Sequence, residues 1–151
     1  NNVLLVGAKG TGKRRLLREL LGAGAAVVTD PVNLATPPFV QGPYQNELRT
    51  KYYVAPVHYY WMDCDMLTLE DRGLIKGQLQ SFHAVVVTFG VGQTGSLEAA
   101  QRFVEECGPV DADVCLCVSR AAPGAIGPLP AAVDDFCYGH GFEHVPLPSP
   151  G

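Results

Sequence analysis

Gly7-Ala8-Lys9-Gly10-Thr11-Gly12-Lys13-Arg14 is the stretch on which the reading of this chain turns. The first seven residues fit the G-x-x-x-x-G-K pattern of a phosphate-binding loop. Its glycines let the backbone curl so that N–H groups face phosphate oxygens, and its lysine reaches the outer phosphates. The pattern then calls for Ser or Thr, whose hydroxyl holds Mg²⁺, and the chain has Arg14. A guanidinium is a fixed cation and cannot ligate a metal. It either substitutes for the metal as a charge or turns away. Gly7, Gly10, Thr11, Gly12, Lys13 and Arg14 are therefore the candidate anion contacts, and no metal site is assigned from any residue.

Outward from the loop, the sequence alternates strands and helices. Val3-Leu4-Leu5-Val6 is a short apolar run of the kind a buried parallel strand carries. Lys13–Leu21 reads as a helix with Leu16, Leu17, Leu20 and Leu21 on one face, ended by Gly22 and Gly24. A second strand is expected over 25–29 and a proline-bearing loop over 30–45. Aromatic residues at 52–62 suggest one or two strands, with Pro56 arguing for an edge, a bulge or a turn. Residues 67–80 read as a weak helix because Gly73 and Gly77 interrupt it. Residues 84–89, Ala-Val-Val-Val-Thr-Phe, form the strongest strand, suited to the centre of a sheet covered on both faces. Ser96 is expected to cap a helix that ends at Gly108-Pro109. A strand at 114–118, a Gly/Pro loop at 121–130, a helix at 131–138 and a last strand at 142–147 complete the order. The expected architecture is α/β: a mostly parallel six-stranded sheet with helices on both faces, three layers in all. A small-GTPase-like sheet fits this order best.

Composition narrows the class. The chain has 151 residues, 47% hydrophobic and 17% charged, which suits one globular domain. That domain is expected to occupy 1–147, with 148–151 starting a linker or marking a truncation point. Net charge is −4, which argues against a nucleic-acid partner. Lys9, Lys13, Arg14, Arg15 and Arg18 cluster at the loop and first helix, and read equally as a solvated face or as phosphate contacts. No apolar run approaches the roughly 20 residues of a membrane span, so direct membrane insertion is not expected. The first residues carry neither a signal-peptide pattern nor Met, so a start inside a longer protein is expected. Five cysteines without a C-x-x-C pair read as free, buried thiols of a cytoplasmic protein, and the four histidines lack metal-ligand spacing with them.

The other motifs of a nucleotide-hydrolysing switch are missing or degraded. A D-x-x-G is needed after the third strand, and the chain offers Asp63-Cys64-Asp65-Met66. Either aspartate could be the acidic residue, the plainer reading being a strand-end carboxylate in solvent. Neither Thr36 nor Thr50 has a persuasive context for a metal-holding switch threonine. Where a base-reading N-K-x-D belongs, Val118-Ser119-Arg120-Ala121 stands. Phosphoryl transfer depends on metal and water positioning for nearly all of its rate, so efficient hydrolysis is not expected. A P-loop kinase is a weaker reading, since no lid-like arginine cluster follows.

Later segments resemble the alpha- and gamma-adaptin-binding protein family. Lys51-Tyr52-Tyr53-Val54-Ala55 resembles that family's K-Y-Y-x-A segment. Ser81-Phe82-His83-Ala84-Val85-Val86-Val87-Thr88-Phe89, with Thr94-Gly95-Ser96-Leu97, is similar to its central strand and following helix start. Phe136-Cys137 with Gly139-His140-Gly141-Phe142-Glu143 resembles its W-C-x-x-H-G-F-E ending. The resemblance implies a Rab-like pseudo-GTPase domain, not an enzyme. It also implies an assembly chaperone in vesicle trafficking whose partners are the large and small subunits of clathrin adaptors, with no required cofactor. Animal members resemble one another in having lost the loop, whereas Gly7 to Lys13 here is nearly whole. The alternative is thus a nucleotide-binding switch with weak or no hydrolysis, holding GTP, GDP or phosphate without Mg²⁺.

Overall fold

In the computed structural model, which describes residues 2–21, 39–49, 51–52, 54–91, 95–121 and 131–147, the strand that carries the loop is central in the sheet. The elements are β1 (Asn2–Gly7), α1 (Lys13–Leu21), β2 (Gln41–Arg49), β3 (Val54–Asp63), α2 (Leu69–Gln78), β4 (Ala84–Val91), α3 (Ser96–Cys107), β5 (Val114–Ala121), α4 (Ala131–His140) and β6 (Glu143–Leu147). The strand order is β2-β3-β1-β4-β5-β6. The β2–β3 pair is antiparallel and all other pairs are parallel. The six-stranded, mostly parallel α/β sheet expected from the sequence is therefore present.

Both faces of the sheet are covered, which explains why its inner strands lack polar alternation. On one face Leu4, Val6, Tyr60, Met62, Val85 and Val87 pack with Ile75 of α2, Phe103 and Val104 of α3, and Val133 and Phe136 of α4. On the other, Leu5, Val86 and Val118 meet Leu16 and Leu17 of α1. Burying a Leu or Val side chain contributes about 1.5–3 kcal/mol, so β1 and β4 are the best-anchored strands. The α1 stripe is narrower than its spacing suggested, because Leu20 is 43% exposed.

Several local expectations need correction. The second strand of the sheet is Gln41–Arg49, whose first five residues lie in the stretch read as loop. Glycine and proline at Gly42-Pro43 hid it, and they coincide with a register shift between Gln41 and Tyr44. The strand expected over 25–29 and the loops at 30–38 and 122–130 lie outside the described residues. Residues 54–63 form one continuous inner strand, not an edge. Pro56 is tolerated because β1 begins pairing only at His58, so this part of β3 pairs with β2 alone. Ser96 is not the cap of α3: Gly95, at φ 80°, holds that position. The Ser96 hydroxyl instead accepts from the Gly90 N–H and donates to the Gly90 carbonyl, closing the loop after β4.

Helix α2 forms despite its glycines because its start is doubly capped. The Asp71 N–H donates to the Thr68 hydroxyl at 3.0 Å, and the Thr68 N–H donates to the Asp71 carboxylate at 3.2 Å. A Cβ added at Gly77 would meet nothing within 4 Å. Gly77→Ala is therefore expected to stabilise the fold by about 0.5–1 kcal/mol, by reducing the freedom of the unfolded chain. A urea titration checks this, and a lowered midpoint would show that α2 needs glycine there.

Candidate functional site

Strand register builds the site. Gly7, the last residue of β1, lies opposite Asp63 of β3 on one side and Thr88 of β4 on the other. Parallel strands on both sides of β1 thus deliver a carboxylate and a hydroxyl to the base of the loop. Gly10 and Gly12 have φ of 85° and 89°, the left-handed region that only glycine enters cheaply, so the curl anticipated from the motif is present. Lys13 and Arg14 then open α1, whose first N–H groups have no intrahelical partner.

Lys13 is only 4% exposed. Its ammonium donates to the Gly7 carbonyl at 2.8 Å and the Ala8 carbonyl at 2.7 Å, and pairs with the Asp63 carboxylate at 2.7 Å. The cation is therefore neutralised inside the loop. The loop is further closed by the Cys64 N–H on the Gly7 carbonyl at 2.9 Å and the Lys9 N–H on the Asp65 carboxylate at 3.3 Å. Both aspartates considered from the sequence thus engage the loop while remaining open to solvent. The Thr11 hydroxyl turns inward, donating to the Ala8 carbonyl at 2.9 Å and lying 2.8 Å from the Thr88 hydroxyl. Thr11 braces the loop through its side chain.

Arg14 turns away from the loop. Its guanidinium lies over the Trp61 ring, 5.8 Å from the centroid. Such a contact contributes about 0.5–1 kcal/mol at an exposed position. On the opposite side Arg120, at the end of β5, donates to both oxygens of Glu19 at 3.0 Å. A Cβ on Gly12 would lie 3.7 Å from Arg120 Nε, so this side chain covers the loop. Ser119 is 2% exposed, and its hydroxyl is 2.8 Å from His144 Nε2. Residues standing where base recognition was sought are thus committed to internal contacts.

Thr88 and Trp61 join the site through strand register, and Arg120 through its pairing with Glu19 of α1. A cavity of about 480 Å³ opens between loop, α1 and β3, lined by Lys9, Lys13, Arg14, Arg15, Arg18, Trp61 and Asp63 along with Gly10 and Gly12. A second cleft of about 220 Å³ shares Trp61 and Asp63 with it and is bounded by Phe39, Met66 and Leu67. Beside that cleft Met66 and Leu69 are 84% and 83% exposed.

The cysteines are free thiols, four of them buried as the composition suggested. Burial pushes the Cys64 thiol up to about 12, against a smaller lowering by Lys13, so it is no nucleophile. Among the described residues no group of three or more His, Cys, Asp or Glu is placed to hold a metal ion, and no helix is long and apolar enough to cross a membrane. The chain matches no family model and no curated protein sequence.

Proposed function

We propose that this chain is a non-catalytic, small-GTPase-like module that binds clathrin adaptor subunits and assists their assembly. The observation that carries the non-catalytic part is Lys13, held by two loop carbonyls and Asp63 while Arg14 stands in the metal-holding position. Nothing in G-K-R supplies the Mg²⁺ hydroxyl, and metal and water positioning supply nearly all the rate of phosphoryl transfer. The three-layer sheet with a glycine loop after its central strand supports the small-GTPase-like reading. The adaptor partner rests on the sequence resemblance at residues 51–55, 81–97 and 136–143.

The surface assigned to the partner is the apolar ridge of Met66 and Leu69 with the cleft beside it, since exposed large apolar side chains rimmed by charge mark interaction sites. Co-expression with adaptor large and small subunits, followed by affinity capture, tests this. Capture is expected, and Met66→Asp with Leu69→Asp is expected to abolish it. Arg18→Glu, away from that cleft, is expected to leave capture intact. Absence of capture by the parent chain would refute the partner. GTP turnover above buffer background would refute the non-catalytic reading.

A further inference from the structure

The cavity beside the loop does not extend toward the end of β5. Its described lining comes from the loop, α1 and β3 only. Arg120 closes the other side, paired with Glu19 and packed against Gly12. What opens instead is a path from the loop N–H groups along α1, past Arg14 to Arg18. Five cations line it against one carboxylate, Asp63, in a chain whose net charge is −4. Lys13 is neutralised by Asp63, and Arg15 shares the Glu19 carboxylate, at 3.3 Å, with Arg120. Among the described residues Arg14 is held by the Trp61 ring and by no carboxylate, and Arg18 has no carboxylate partner. The Trp61 indole N–H is buried and has no hydrogen-bond partner among the described residues.

We infer that this cavity binds a compact, multiply phosphorylated anion without Mg²⁺ and without selecting a nucleotide base. The loop and the α1 N-terminus take one phosphate. Arg14 leaves Trp61 to pair with a second, and Arg18 takes a third group farther along the helix. Arginine suits this role because its planar donors match phosphate oxygens in pairs. Arg14, the residue that removes the metal ligand, thereby supplies the positive charge that the metal would have brought. The phosphates can come from a soluble polyphosphate or from a phosphorylated lipid headgroup, and the chemistry is shared. The inference does not depend on the identity of any protein partner.

Trp61 is the single tryptophan and forms the cavity wall, so its emission reports occupancy directly. In EDTA, tripolyphosphate, inositol hexakisphosphate, GTP and ATP should each change that emission saturably, with GTP and ATP binding alike. Calorimetry should show Arg18→Glu weakening tripolyphosphate binding by about tenfold or more, the scale of one lost charge-assisted pair. Lys76→Glu on α2 should change nothing. Circular dichroism on each variant confirms the fold, since Arg14 and Arg18 are exposed. Sedimentation with vesicles of phosphatidylcholine carrying phosphatidylinositol bisphosphate identifies a headgroup source, and binding confined to soluble ligands identifies a free one. No emission change at millimolar tripolyphosphate would overturn the inference. So would a requirement for Mg²⁺ with preference for GTP over ATP, or an Arg18→Glu variant that binds as the parent does. Equal sedimentation with phosphatidylserine vesicles of the same charge would reduce the site to general adhesion and also overturn it.

Discussion

Gly7→Ala is expected to lose about 3 kcal/mol or more of stability, at or beyond the upper end of the usual cost of a single overpacking change. The reason is space, not backbone conformation. A Cβ at this position would run into the Thr88 hydroxyl and come within 2.7 Å of both the Thr88 carbonyl and the Thr11 hydroxyl. Side chains can rotate, but the Thr88 carbonyl belongs to β4, which is locked between β1 and β5. Trimming Thr88 would leave that carbonyl where it is. Gly12→Ala makes the contrast, since its added Cβ would meet only the flexible Arg120 side chain at 3.7 Å. Its cost should be the left-handed backbone alone, about 1–2 kcal/mol. Urea unfolding of both variants tests the ranking. A Gly7→Ala midpoint within error of the parent would mean that β4 can move away from β1, and the account of the loop base would fail.

Lys13→Met is expected to destabilise the protein by about 2–4 kcal/mol in the absence of any ligand, as loss of one partner of a buried charged cluster does. In a loop that keeps its lysine for substrate, this change would weaken binding and leave the apo fold largely untouched. Here the ammonium joins Gly7, Ala8 and Asp63 across two strands, so its removal strands two carbonyls and a carboxylate. Asp63→Asn should cost less, about 1 kcal/mol, because the Asp63 side chain is 37% exposed and water can replace its partner. A double-mutant cycle on the pair separates their coupling from the carbonyl bonds. A Lys13→Met protein as stable as the parent would show that the lysine is held for a ligand and not for the loop.

How legible each part was depended on how local its cause is. The runs Val3 to Val6 and Ala84 to Phe89 declared buried strands because a doubly covered strand has no polar face to show. Helix α3 was legible from an apolar stripe of Leu97, Ala100, Phe103 or Val104, and Cys107, of which Leu97 is half-buried and the others are buried. Strand β2 was hidden, since Gln41 to Arg49 carries few apolar residues and contains Gly42-Pro43. An edge strand needs only one neighbour and no core of its own, so its composition is weakly constrained. Pro56 misled for the opposite reason: it sits in an inner strand, at a level where the strand on one side has not yet begun.

The sequence by itself determined the phosphate-loop curl, the missing metal hydroxyl at Arg14 and the alternation of strands and helices. Glycine conformation, side-chain chemistry and hydrophobic period are all properties of neighbours along the chain. Only the tertiary structure decided what the loop's cations do. Parallel register places Asp63 against Lys13 and Thr88 against Thr11, and it sets Trp61 under Arg14. The same fold brings Arg120 from more than a hundred residues away onto Glu19. Charge pairs act through space and not along the chain, so no sequence spacing could reveal that Lys13 is neutralised while Arg14 and Arg18 line an open cavity.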